Sequence, residues 1–262
     1  MKPLAAILLL FILSSCNDDD SSDNDPLPPK DAPKSIGYSI INTYPHDTSS
    51  FTQGLVVYNG RMYEGTGEYG HSKLLRVNLA TGKAEQALAL DDAYFGEGIT
   101  ILNDTIYQLT WKEGKVFAYT LDFRKVKEFN INTEGWGITT DGKELIVSTG
   151  SNQLYYYHPG TFRLMKTQSV MESGSLAFNL NELEYIDGYI YANKFQAPEI
   201  FQIEPSTGNI VGKINVNDLW KKIQAKDPVA DVPNGIAYDT ASKKIYITGK
   251  KWPELYEVRF SR

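Results

Sequence analysis

A five-fold internal repeat is the feature that most constrains this chain. Five stretches share one pattern: TQGLVVYNGRMYEGTG from Thr52, GEGITILNDTIYQLTW from Gly96, GWGITTDGKELIVSTG from Gly135, LNELEYIDGYIYANKF from Leu180 and PNGIAYDTASKKIYITGK from Pro233. Each reads as a strand, a polar turn and a second strand. Apolar residues alternate with period two, and Gly, Asn and Asp break the runs, as in half-buried strands joined by tight turns. A third apolar strand follows in every unit: KLLRVNLATGK, KVFAYTLDFRK, QLYYYHPGTFR, EIFQIEPSTGN and ELYEVRF. The first four units continue into a fourth: AEQALAL, VKEFNI, LMKTQSV and IVGKINV. The unit starts lie 44, 39, 45 and 53 residues apart.

A lone four-stranded antiparallel sheet cannot bury both of its faces, so such units stack around an axis. Four strands per unit at a period of about 40 to 50 residues predict an all-β, five-bladed β-propeller of four-stranded antiparallel blades. Two stacked sheets in a sandwich are the alternative. The fifth unit lacks an outer strand because the chain ends. An orphan strand, SIGYSIINTYP at Ser35–Pro45, lies at the other end and is expected to complete the last blade and close the ring. Composition agrees, with 17 Tyr and 11 Phe, both strand formers. The best helical pattern is short, VNDLWKKIQ at Val216–Gln224, with Asn217 or Asp218 as the expected cap. With QAKDPVADV after it, that insert accounts for the longest spacing.

Residues 1–16 do not belong to this repeat. One Lys precedes the apolar run LAAILLLFIL and then SSC, the pattern of a secretory signal, too short for a stable bilayer-spanning helix. The ending LSSC resembles the bacterial lipobox, in which Cys16 becomes the lipid-modified first residue. Cys16 is the only cysteine, so no disulfide forms within one chain. Residues 17–35, NDDDSSDNDPLPPKDAPKS, read as a disordered acidic tether of net charge −4. Residues 36–262 form the propeller domain, of net charge −3. No basic stripe is present, so nucleic acid is excluded as a partner. The expectation is an exported monomer, lipid-anchored to the bacterial cell envelope and touching membrane only through that anchor.

In a propeller the innermost strands line a central channel, and one mouth of it gathers a loop from every blade. Here the innermost strands open each repeat, so Gln53, Glu97, Trp136, Asn181 and Asn234 are expected to converge. Each alone is an ordinary turn residue beside an axis. Five polar or aromatic groups at equivalent positions point to a pocket. Trp111, Phe195 and Lys250 follow the second strands of blades two, four and five and add to it. In YFGEGIT, Tyr94–Thr100, the single acid Glu97 sits between two glycines. The glycines are read as clearing room for a substrate against its carboxyl group.

Several stretches carry a resemblance: FTQGL, EGTGEYGHSKLLRVNLATG, FGEGIT, EGWGITTDGK, LNELEY, DVPNGIAYD and TGKKWP. They are similar, in order and spacing, to the plant-type glutaminyl cyclases, which also occur in bacteria. The resemblance implies glutaminyl-peptide cyclotransferase activity on peptides and proteins with N-terminal Gln. It marks Glu97 as the catalytic acid, with Lys250 and Asn181 as catalytic donors whose roles stay interchangeable. Gln53, Trp111, Trp136 and Phe195 are the implied substrate-binding residues. The family pattern has Trp where this chain has Phe195, and Arg where it has His71. No cofactor is required on this reading. Some members carry calcium in the central channel, to which Glu182 is a conceivable contributor, with no metal ligand assigned. His46, His71 and His158 are scattered, without zinc-ligand spacing. Two other functions stay open: a propeller that binds a peptide N-terminus or glycan without turning it over, and a calcium-dependent lactonase. The latter class wants several carboxylates around the axis, where this chain offers one Glu and three amides.

Overall fold

The computed structural model describes residues 32–261. Cys16 and the signal-like segment lie outside the described residues, as does the 17–35 segment up to residue 31. Five antiparallel blades follow in chain order. Blade 1 contains β3 (Thr52–Tyr58), β4 (Arg61–Thr66), β5 (Lys73–Asn78) and β6 (Lys83–Ala89). Blade 2 contains β7 (Gly96–Leu102), β8 (Thr105–Thr110), β9 (Lys115–Thr120) and β10 (Lys125–Asn130). Blade 3 contains β11 (Ile138–Thr140), β12 (Leu145–Ser148), β13 (Gln153–Tyr157) and β14 (Leu164–Ser169). Blade 4 contains β17 (Leu180–Ile186), β18 (Tyr189–Lys194), β19 (Glu199–Ile203) and β20 (Ile210–Asn215). Blade 5 contains β21 (Pro233–Asp239), β22 (Lys244–Gly249) and β23 (Glu254–Phe260), and its outer strand is β2 (Tyr38–Pro45). The N-terminal strand thus closes the ring, in antiparallel register from Tyr38↔Phe260 to Pro45↔Glu254.

The core is divided among the blade interfaces. Five apolar clusters are present, and each joins one blade to the next. Ile99, Ile101 and Ile106 of blade 2 meet Val56 and Tyr63 of blade 1, and Leu55 and Met62 meet Ala237 and Tyr246 of blade 5. Alternation along a strand sends side chains to opposite faces, so one blade feeds two clusters. Tyr155 and Tyr157 of β13 pack towards blade 2, while Leu154 and Tyr156 pack towards blade 4.

Three local features differ from the sequence reading. Lys34 and Ser35, assigned to the tether, form β1 (Lys34–Ser35), which pairs in parallel with β20. Helix α1 spans Asn217–Lys226, with Val216 rather than Asn217 or Asp218 at its N-cap and no side-chain cap bond. Asn215, one residue before the cap, takes the Asn217 N–H on its Oδ1 at 2.8 Å. A short hairpin, β15 (Met171–Glu172) with β16 (Ser175–Leu176), fills the link between blades 3 and 4. Among the described residues no helix is long and apolar enough to cross a membrane.

A buried polar network locks the closure. His46 follows β2; its Nδ1 lies 2.7 Å from the Trp252 carbonyl oxygen and its Nε2 lies 3.1 Å from Glu64 Oε1. Thr52 and Ser50 also donate to the Glu64 carboxylate. One imidazole therefore ties the closing strand to blades 1 and 5. Burial pushes the His46 pKa down, but Glu64 and the Trp252 carbonyl outweigh it, and the net shift is upward. A raised histidine pKa stabilises the fold fully below the unfolded value and loses that contribution as pH rises through the folded one. Urea denaturation of His46→Gln should therefore show a deficit of about 1.5–3 kcal/mol near pH 6, shrinking near pH 9; a deficit that grows with pH would contradict this role.

Candidate active site

The five innermost strands, β3, β7, β11, β17 and β21, stand side by side around the axis. Their approach explains the glycines that flank Glu97. A Cβ on Gly98 would lie 2.6 Å from the Trp136 carbonyl oxygen and 2.9 Å from Gly137 Cα; one on Gly96 would lie 2.7 Å from the Thr66 carbonyl oxygen. The Gly98 N–H donates to that Trp136 oxygen at 2.8 Å. These glycines make room for backbone, chiefly that of the adjoining blades, and not for a ligand as the sequence reading held. The result for Glu97 is a rigid seat whose side chain has one free direction.

That direction is a cavity of about 290 Å³ at one mouth of the channel. Gln53, Glu97, Trp111, Trp136, Asn181, Phe195 and Lys250 all line it, so every residue singled out as catalytic or substrate-binding is brought to one place. Asn234 is not among the lining residues. It lies fully buried behind Gln53, donating from Nδ2 to Gln53 Oε1 (3.2 Å) and to the Thr52 carbonyl (2.9 Å). His71 lies outside the lining as well.

Sequence reasoning missed Phe51 and Phe95, which complete the apolar wall, and Gln196 and Asp231, which also line the cavity. FTQGL and YFGEGIT carry these two Phe residues two positions before Gln53 and Glu97. Period-two alternation would have put each on the same side as its polar partner. The rings meet edge-on: Phe51 with Phe95 (6.1 Å), Phe95 with Trp111 (5.5 Å) and Trp136 with Phe195 (5.3 Å). Glu134 was missed too. Its Oε2 accepts the indole N–H of Trp111 at 3.0 Å and of Trp136 at 2.9 Å.

Electrostatics converge on Glu97. Its Oε1 accepts from Gln53 Nε2 at 3.0 Å, while Oε2 is buried with no hydrogen-bond partner. Burial holds the Glu97 pKa well above the ordinary carboxylate range; Lys250 pulls it down, and Glu134 and Glu113 push it up. Lys250 is itself only 3% exposed. Its ammonium lies over the faces of Phe51 (4.4 Å) and Phe195 (5.2 Å). Desolvation lowers its pKa against the opposing pull of Glu97 and Asp231. Its neighbour Lys251 instead pairs with Glu68 at 2.8 Å on the surface. The Asn181 side-chain amide is hydrogen-bonded to no described residue. The site thus holds a carboxyl group of raised pKa, a desolvated ammonium and an uncommitted amide inside an aromatic box.

Below the pocket, the channel carboxylates are already occupied. Glu182 accepts the Leu55 N–H on one oxygen (3.2 Å) and the Ile236 N–H on the other (2.9 Å). Glu184 accepts from Tyr238 N–H (2.8 Å) and Thr139 Oγ1 (3.3 Å), and burial pushes its pKa up to about 8. Hard cations need several free oxygen ligands. Among the described residues no group of three or more His, Cys, Asp or Glu side chains is placed to hold a metal. The channel donors as arranged fit backbone amides and do not fit a calcium ion.

Comparison with known proteins follows the same lines. The sequence model of the glutamine cyclotransferase family matches residues 7–260. A glutaminyl-peptide cyclotransferase of Arabidopsis thaliana is 37% identical over 227 residues, covering 85% of this chain and 71% of that protein. The crystal structure of Myxococcus xanthus glutaminyl cyclase superposes with a TM-score of 0.82 at 33% identity, covering 87% of this chain and 98% of that one.

The raised Glu97 pKa has a stability consequence. An acid whose folded pKa exceeds its unfolded pKa lowers stability as pH rises between the two values. Glu97→Gln keeps an acceptor for Gln53 and removes that burden. Thermal melts should show the variant more stable than wild type at pH 8, with the advantage vanishing as pH falls to the ordinary carboxylate range. A variant less stable at every pH would contradict the upward shift.

Proposed function

This chain belongs to the glutamine cyclotransferase family, and from that premise we propose how its pocket turns N-terminal glutamine of peptides and proteins into pyroglutamate with release of ammonia. The observation that carries the reading is the buried, unpartnered Oε2 of Glu97 at the base of the aromatic cavity.

The α-amine of the substrate attacks the carbonyl carbon of its own side chain. An N–C bond forms, the carbonyl oxygen becomes an oxyanion, and the amine sheds a proton. Glu97 Oε2 takes that proton and delivers it to the departing nitrogen as the old C–N bond breaks. A solvated Glu is too weak a base and, once protonated, too ready to lose its proton to serve both steps near neutrality. Burial brings its pKa closer to the working pH, where one group does both. Lys250 donates to the oxyanion from a desolvated position, where a charge acts more strongly than in water. The Asn181 amide, with a donor and an acceptor both uncommitted, holds a substrate amide. Trp111, Trp136 and Phe195 compress the flexible side chain towards its amine, and a cavity near the lower end of the usual ~300–1,000 Å³ range suits a single residue. Phe195, in place of the family's Trp, keeps the wall and lacks an indole N–H.

No step passes through a metal. We also propose that the enzyme acts as an exported monomer, lipid-anchored through Cys16 at the cell envelope. Support comes from the sole cysteine following directly on the apolar run and SS. Exported proteins that begin with Gln are then its substrates, and cyclisation shields them from aminopeptidases.

Purified protein mixed with a Gln-initiated dipeptide should release ammonia and a cyclised product, with and without chelator. Glu97→Gln should lower kcat by about 10²–10⁴-fold. Activity should rise with pH as Glu97 and the substrate amine lose their protons, and fall at alkaline pH as Lys250 does. Near-normal turnover by Glu97→Gln would sink the mechanism; no product with any Gln peptide would favour a binding module. In cells, Cys16→Ser should move the protein from the membrane fraction to the soluble fraction, and unchanged membrane association would refute the anchor.

A further inference from the structure

The two tryptophans of the pocket are tied to each other, and not only packed. Trp111 follows the second strand of blade 2, and Trp136 opens blade 3. Ring contacts alone hold each to a different neighbour: Trp111 lies edge-on to Phe95, and Trp136 lies edge-on to Phe195. Lys112 Nζ sits 3.8 Å over the Trp111 ring. None of these contacts links the two indoles. One oxygen does: Glu134 Oε2 accepts both indole N–H groups, at 3.0 and 2.9 Å. The backbone places that oxygen, because the adjacent Gly135 N–H donates to the Trp111 carbonyl at 2.9 Å. Sharing an acceptor is not the habit of tryptophan in this chain. Trp252 donates to the Asp231 backbone carbonyl, and the buried Trp220 Nε1 has no partner.

We propose that Glu134 is a positioning residue for the reaction: one carboxylate oxygen, shared by Trp111 and Trp136 across the blade boundary, sets the spacing and tilt of the walls that fold the glutaminyl side chain back on its amine. The inference rests on the cyclisation reading above. Ring closure needs the amine within near-attack distance of the side-chain carbonyl, and small misplacements are costly there. Apolar packing fixes ring planes loosely, while a two-donor hydrogen bond to a charged acceptor fixes both separation and direction. The same carboxylate has a second consequence at Glu97. The charged groups acting on Glu97 are Lys250 from blade 5, Glu113 from the loop between the second and third strands of blade 2, and Glu134. Asp231 acts on Lys250 in turn. Removing the Glu134 charge removes one of the two charges that, after burial, raise the Glu97 pKa.

Two substitutions separate the roles. Glu134→Gln keeps an acceptor oxygen and loses the charge; Glu134→Ala loses both. The readouts are kcat and KM with a Gln-initiated dipeptide, the pH profile, and the two indole N–H resonances in a proton–nitrogen NMR spectrum. Glu134→Ala should lower kcat by about 10- to 100-fold, change KM less, and shift the Trp111 and Trp136 resonances together. Glu134→Gln should hold both resonances near their wild-type positions, recover most of kcat, and move the acid limb of the profile to lower pH. A folded Glu134→Ala with kcat within about twofold of wild type would overturn the proposal, as would a kcat loss with unmoved indole resonances. Should Glu134→Ala fail to fold, Glu134→Gln decides: an unshifted acid limb, or lost indole resonances at full kcat, overturns it. Wild-type protein that cyclises no Gln peptide overturns the cyclisation reading itself, and the indole resonances then report on the clamp alone.

Discussion

The structure depends on how closely the innermost strands approach at the axis. Gly98 and the Trp136 carbonyl are joined across blades 2 and 3 by a 2.8 Å hydrogen bond, at a separation no side chain tolerates. That contact draws the strand openings into one small ring, and the pocket is what the ring's mouth leaves over. The five apolar clusters farther out each join only two blades. They stack the blades, but the inner contacts set the distance between Glu97 on one blade and Lys250 on another. Pocket geometry and ring geometry are therefore the same quantity. A propeller closed by its N-terminal strand fits this demand, since any opening of the seam between β2 and β23 would relax the ring that holds the site.

A second constraint follows from the first. A tight ring buries its charged groups, so they need fixed partners. Glu64 is satisfied by His46, Thr52 and Ser50, and Glu182 by two backbone amides from different blades. These groups spend their hydrogen-bonding capacity on structure. Glu97 is the exception, with one oxygen held by Gln53 and the other left facing the cavity. An unpartnered buried carboxyl oxygen is destabilising, and such exceptions concentrate where a substrate completes them. Lys250, held over two aromatic faces, is the complementary exception.

The blade count, the closing strand and seven pocket residues were legible in the sequence. The repeat supplies equivalent positions, and equivalence turns five weak signals into a ring. What stayed hidden follows from what a repeat does not encode. Glu134 stands two positions before Trp136, where blades 1 and 2 carry Phe51 and Phe95, so only the indole N–H groups that it accepts reveal its task. The glycines beside Glu97 were read as clearing room for a substrate, whereas backbone of the adjoining blades fills that room; sequence shows that space is needed and not what fills it. Asn234 occupies a position equivalent to Glu97 and yet faces away from the cavity. Gly235 after it has a φ of +111°, unlike Gly54, Gly98 and Gly137 at the equivalent positions, which the repeat pattern alone could not separate.

Asn234 nonetheless bears on the chemistry, through the order of donors behind Glu97. Its Nδ2 faces two oxygens, the Thr52 carbonyl and Gln53 Oε1. Turning the amide over would set its own oxygen against both, so the donor must point that way. Gln53 is then fixed in turn: its oxygen accepts from Asn234, and only its NH₂ is left for Glu97 Oε1. A donor on Oε1 makes that atom the acceptor side of the carboxyl group, and the proton belongs on Oε2. In the proposed reaction, two neutral amides thus choose which oxygen of a buried acid carries the mobile proton, without bringing another charge near it. A cation in the place of Gln53 would hold the same oxygen but would also pull the Glu97 pKa back towards its solvated value, and the shuttle would lose its base. The amide pair supplies direction alone, which leaves the strength of the acid to burial and to the balance between Lys250, Glu134 and Glu113.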